Sequence, residues 1–171
     1  MIKFLKLFII IISLYFGFVR IVSAATLDPV MAKILLVIIS NVEWNQKNIT
    51  LCTYGRSRVG SLLQETSTNF EPSENVHKIN ILDNLDTKDF SKCNMLYIVP
   101  EKASELSSIV KEIVTNTILT VSDMEDFVEN DGMIGVTIGR RNNLILDFNE
   151  PAISRAKIKI DPVFLLGHKA K

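Results

Sequence analysis

Residues 94–100, "NMLYIVP", decide the fold. Met95 to Val99 are five consecutive apolar residues, and Pro100 ends the run. Such a run is the pattern of a strand buried on both faces, as in the interior of a parallel sheet. Downstream, Leu106, Ile109, Val110, Ile113 and Val114 recur at spacings of three and one, which predicts an amphipathic helix over 101–115. "ILTVS" (118–122) is a second buried strand. Upstream, "NITLCTYG" (48–55) reads as a strand ending at Gly55, "SRVGSLLQETS" (57–67) as a short helix, and "VHKINIL" (76–82) as an edge strand.

Strands that alternate with helices favour parallel pairing through right-handed crossovers. "GMIGVTI" (132–138) and "NLILDFN" (143–149), joined by "GRRN", add a hairpin. Between the two halves, "DMEDFVEN" (123–130) predicts a short helical turn capped by Ser122 or Asp123. Glu150-Pro151 opens a helix to about residue 157, and Asp161-Pro162 opens a last one. The expected architecture is a single-domain, three-layer α/β sandwich. Its mixed, mostly parallel sheet carries helices on both faces and a C-terminal β-hairpin.

The first helix has its own logic. Asp28 is placed as an N-cap and Pro29 at the first helical position, before "VMAKILLVIISNVEW" (30–44). Lys33 is the only charge before Glu43, so the helix is apolar almost all round and must be buried in a core or against another chain. One face is expected on the sheet and another on a second protomer or a partner, with Leu36 and Ile39 testing the two faces. Trp44 is either a core plug or an interface anchor.

Ahead of this domain, "MIKFLK" is basic, "LFIIIISLYFGFV" is uninterrupted apolar sequence and "VSAA" supplies small residues. That is the plan of a secretory signal peptide over residues 1–24, cut after Ala24 or Ala25. The alternative is an uncleaved membrane anchor; either way the domain from residue 25 to 171 is exported. Losing Lys3, Lys6 and Arg20 leaves 16 basic against 19 acidic side chains, a net charge of −3. Such a surface has no electrostatic footprint for nucleic acid.

Cys52 and Cys93 are the only cysteines. They cannot complete a four-ligand zinc site, and no C-x-x-C spacing supports thiol exchange. An oxidising compartment favours a disulfide over two separately buried thiols.

No nucleophile elbow, Walker loop, G-x-G-x-x-G turn or H-E-x-x-H helix occurs in the chain. Ser122-Asp123 reads as a helix cap before it reads as a catalytic pair. Asp83, Asp86 and Asp89 lack the glycine and distal glutamate of a calcium loop. Arg140 and Arg141, in the hairpin turn, are either solvated or in contact with an acidic partner. The expectation is an exported domain that is not an enzyme, with no catalytic residues, metal or cofactor.

Three blocks together carry a resemblance. Val30, Ala32, Leu35, Val42, Glu43 and Trp44 fit a helix close to V-K-A-A-x-L-Y-N-F-x-K-F-V-E-W-P. "LCTYG" and "CNMLYI" resemble L-C-V-x-G and C-x-x-L-F-I strands. Thr120, Val121, Asp123, Phe127, Gly132, Met133, Ile134, Phe148, Asn149 and Ala152 fit a C-terminal block. These are the marks of the YfiR-like periplasmic family. Asp131 stands where that family often has a glycine, and Asn45 replaces its proline.

The resemblance implies a periplasmic regulator, often a homodimer, with a disulfide at the positions of Cys52 and Cys93. In its best-known form such a protein binds the periplasmic part of an inner-membrane diguanylate cyclase and represses it, controlling cyclic di-GMP. Other relatives accompany sensor kinases. The alternative reading is a periplasmic small-solute-binding module.

Overall fold

The computed structural model describes residues 27–70, 76, 78–86, 88–113, 116–139 and 143–168. In chain order these form α1 (Asp28–Ser40), β1 (Val42–Glu43), β2 (Asn48–Tyr54), α2 (Val59–Ser67), β3 (Lys78–Leu85) and β4 (Met95–Ile98). A 3-10 helix (Pro100–Glu105) leads into α3 (Leu106–Ile113), followed by β5 (Leu119–Ser122), β6 (Ile134–Ile138), β7 (Leu144–Phe148), α4 (Glu150–Arg155), β8 (Lys159–Ile160) and α5 (Pro162–His168).

Six strands form the main sheet in the order β3-β2-β4-β5-β6-β7. Every neighbouring pair is parallel except β6–β7, the hairpin. All four residues of β4, an unbroken apolar run, and all four of β5 are buried; in β5 the hydroxyls of Thr120 and Ser122 are hydrogen-bonded. Strand alternation then divides the interior in two. Ile49 and Leu51 on β2, Met95 and Tyr97 on β4, and Leu119 and Val121 on β5 pack with α1 and α2. Cys52, Tyr54, Leu96 and Ile98 face the other way, onto Leu106, Ile109 and Ile113 of α3. The three-layer sandwich with a C-terminal hairpin is what the sequence implies.

Several local expectations are corrected. Helix α1 ends at Ser40 rather than running to Trp44, because Val42 and Glu43 leave it to pair with Ile160 and Lys159 of β8. Leu27, not Asp28, holds the N-cap position, and Asp28 places its charge in the first turn, where it complements the helix dipole. The helix expected over 101–115 begins as a 3-10 segment before α3. The short helical turn expected over 123–130 is met as turns at 125–130, with Asn130 N–H donating to Asp126 O at 3.1 Å.

Leu36 and Ile39 are both fully buried. Helix α1 packs on the sheet with one flank and against α2 with another, which buries Leu36 and Ile39 within the chain and leaves Val30 and Val37 on its exposed side. Neither Leu36 nor Ile39 is available to a second protein. The approach of α2 to β3 is close at Gly60, where a Cβ would collide with the Asp83 carboxylate. That carboxylate accepts the buried Thr53 hydroxyl at 2.6 Å.

Candidate functional site

Cys52 and Cys93 form a disulfide, with Cα atoms 5.8 Å apart and a sequence separation of 41. The bridge lies in the second core beside Tyr54 and Phe90, whose rings meet edge to face at 5.3 Å. Asn94 fixes the same junction: its backbone N–H donates to Thr50 O at 2.9 Å, and its side-chain oxygen accepts from Thr50 N at 2.7 Å. The cysteines therefore join β2 to the segment that enters β4.

Strand order reverses at β2, which has β3 on one side and β4 on the other. In open α/β sheets, ligands bind outside the carboxyl ends of the strands at such a point. Here that crevice is filled by the chain's own side chains. Gly55 ends β2 with φ +97°, and a Cβ there would run into Val99 and Lys102. The Tyr54 hydroxyl donates to Glu105 Oε2 at 2.8 Å, and Lys102 Nζ donates to Oε1 at 2.7 Å while lying 4.8 Å from the Tyr54 ring centre. Lys88 adds a looser contact to Glu105 at 3.7 Å. The hydrogen bond from Lys102, then that from Tyr54, hold the Glu105 carboxyl below its usual range. Burial, then the Glu105 bond, push the Tyr54 phenol up.

One strand further along, the Tyr97 hydroxyl donates to Asp123 Oδ1 at 2.8 Å. Burial raises both groups: Tyr97 strongly, reinforced by the Asp123 charge, and Asp123 despite the Tyr97 bond. Beside Asp123 lies a cavity of about 290 Å³ with Leu27, Met31, Ile34, Val136 and Leu144 among its walls. Val30 and Ile138, 41% and 46% exposed, also line it. Ser122, the other half of the sequence pair, is committed elsewhere. Its hydroxyl donates to Ile98 O at 2.6 Å and accepts from Met124 N at 3.1 Å. Ser122 thus caps the turn, and the two residues do not form a nucleophile and base.

Trp44 is half-buried against the main core, and its Nε1–H donates to Ile39 O at 2.8 Å, closing the end of α1. Arg140 and Arg141 lie outside the described residues. Two apolar side chains one turn apart on α5, Val163 and Leu166, are 78% and 72% exposed. Sequence periodicity marks them as helical but carries no sign of which face is left open. Among the described residues, no group of three or more His, Cys, Asp or Glu side chains could hold a metal ion, and no helix is long and apolar enough to cross a membrane.

These features define a disulfide-stapled, doubly wound α/β domain with a Tyr54–Glu105–Lys102 network at its switch point. The YfiR/HmsC-like family matches residues 28–166. The chain belongs to that family of periplasmic regulators, and the disulfide suits the oxidising periplasm. A solved structure titled a conserved domain protein from Vibrio cholerae O1 biovar El Tor str. N16961 shares the fold, with a TM-score of 0.59 at 11% identity. The alignment covers 84% of this chain and 59% of that one, so this chain spans about three-fifths of its neighbour's length. No curated protein sequence matches the chain.

Proposed function

We propose that this protein is exported by its N-terminal segment and controls an inner-membrane signalling enzyme by stoichiometric binding, without chemistry of its own. The partner is a diguanylate cyclase, whose periplasmic part the domain binds and holds inactive. The observation that carries this reading is the family match over 28–166. The geometry supports it in two ways. Tyr54, Lys102 and Glu105 occupy the switch point, and the most exposed large apolar side chains among the described residues are Val163 and Leu166 on α5.

Repression by binding needs only a preference for the partner's inactive state. A difference of about 2.7 kcal/mol shifts that equilibrium roughly a hundredfold. Burying two aliphatic side chains contributes on the order of 1.5–3 kcal/mol each, so a pair such as Val163 and Leu166 covers the requirement if it is buried only against the inactive form.

The test is a photo-crosslinking residue at position 166 in the periplasm, followed by mass spectrometry of the adduct. A diguanylate cyclase with a periplasmic segment is the expected product. Crosslinks confined to a periplasmic solute-uptake system would refute the reading in favour of a solute-binding module.

A further inference from the structure

We propose that the cleft along β3, at the edge of the main sheet, binds a sugar that carries one carboxylate. The cleft encloses about 930 Å³ beside the first halves of β2 and β3. Five of its twelve lining residues are Asn or Gln, three are Ser or Thr, and Lys92 is the one ionisable group among them. In a chain that is 22% charged, that is a surface biased towards neutral hydrogen bonding.

Strand register arranges these groups. Asn48 and Thr50 of β2 share a sheet face with Asn80 and Leu82 of β3, because Thr50 pairs with Asn80 and Cys52 with Leu82. Asn94 joins them from the segment entering β4. Its Oδ1 accepts from Thr50 N at 2.7 Å, which fixes the amide and leaves its N–H donors without a partner among the described residues. The amides of Asn48, Gln64 and Asn80 are likewise unengaged there, and none is sealed from solvent. An amide offers a donor and an acceptor side by side, which matches two vicinal hydroxyls, each able to donate and accept.

The remaining walls fit the rest of such a ligand. Ile79, Ile81 and Leu82 line the cleft, the last 37% exposed, and give the C–H face of a sugar ring an aliphatic surface. Lys92 is exposed and forms no ion pair among the described residues, so its ammonium is open to one carboxylate. The nearby Asp89 carboxylate feels its charge but accepts from Ser91 Oγ at 2.6 Å. The site is also separate from the α5 surface. Phe164 of α5 meets Phe148 of β7 at 6.1 Å between ring centres, and β7 is the opposite edge of the sheet from β3. Sugar binding therefore stands or falls independently of the repressor reading.

Two sources share this chemistry, uronic acids and nonulosonic acids. Protein purified from cells expressing the full chain is titrated by heteronuclear NMR with glucuronic acid, N-acetylneuraminic acid, glucose and propionate. The acid sugars are expected to give saturable shifts at the start of β2, along β3 and at 91–94. Half-saturation near about 1 mM is the order expected for so small a ligand, and the tighter of the two identifies the source. Glucose, without the carboxylate, is expected to bind about tenfold more weakly. Lys92→Gln should weaken the acid sugars about tenfold and leave glucose unchanged, whereas Asn80→Ala should weaken all three about fivefold. Circular dichroism confirms that both variants are folded. Propionate shifting the same residues as strongly as glucuronic acid would reduce the site to an adventitious ion at Lys92. Tighter binding by an extended acidic peptide would replace the sugar with strand addition at β3. The absence of shifts with either acid sugar at ten times the expected half-saturation overturns the proposal outright.

Discussion

Tyr97 and Asp123 meet at the carboxyl ends of two adjacent parallel strands, phenol to carboxylate at 2.8 Å, with Tyr97 almost wholly buried. Burial raises the Asp123 pKa, so the ionised carboxylate is tolerated partly through this donor. Removing the donor leaves the carboxylate short of a partner in a partly dry site. Tyr97→Phe is expected to cost about 1–3 kcal/mol, the usual penalty for a buried polar group left unsatisfied. Urea unfolding of the pair checks it; an unchanged midpoint shows that water replaces the phenol without loss.

The disulfide closes a long loop, and on the chain-entropy account such a crosslink stabilises by roughly 4 kcal/mol. Cys52→Ser or Cys93→Ser is expected to lower stability by about 2–5 kcal/mol. The loss should match that produced by reducing the wild type. Thermal melts with and without reductant measure it, and a variant insensitive to reductant yet as stable as the oxidised wild type contradicts the account.

Leu36 and Ile39 are expected to behave alike. Both are fully buried within one chain, so Leu36→Ala and Ile39→Ala should each destabilise by about 2–5 kcal/mol. Sedimentation of the folded fraction should show the same assembly state as the wild type. Val37→Asp, on the exposed side of the same helix, should cost far less. A folded, stable Leu36→Glu protein defective only in assembly would falsify this placement.

The Tyr54–Glu105–Lys102 group carries a pH signature. Glu105 is held below its ordinary pKa in the folded state, first by Lys102 and then by Tyr54. A depressed carboxylate adds stability above its unfolded pKa of about 4.3, and this is lost as pH falls through the folded value. Glu105→Gln should therefore flatten the decline in stability below about pH 4.3. Denaturant titrations at a series of pH values read the slope; an identical acid limb in both proteins removes Glu105 from the account.

How far the sequence was legible follows from where periodicity speaks. β4 was readable from its unbroken apolar run, β5 from its apolar and β-branched residues, and the hairpin because its turn residues sit between two β-rich segments. The end of α1 was not, since Val42 and Glu43 are drawn off by Lys159 and Ile160, more than a hundred residues away. Local propensity holds no record of such a partner. Leu36 and Ile39 looked like two faces because an all-round apolar helix does not say how many neighbours it has. Asp123 looked like a cap because its partner, Tyr97, lies on another strand. The network at Glu105 had no signal at all, as its members only converge once β2 and the 3-10 helix are side by side.

The central claim is repression by an exported binding domain, and cyclic di-GMP in the cell tests it most directly. It should be measured in the wild type, in a deletion strain, and in strains complemented with the full gene, a copy lacking residues 1–24, and a Val163→Asp/Leu166→Asp copy. Deletion is expected to raise cyclic di-GMP and surface attachment, and the full gene to restore them. The leaderless copy should fail, and the double variant should fail while remaining folded and exported. Unchanged cyclic di-GMP on deletion, or full restoration by the leaderless copy, would contradict the account.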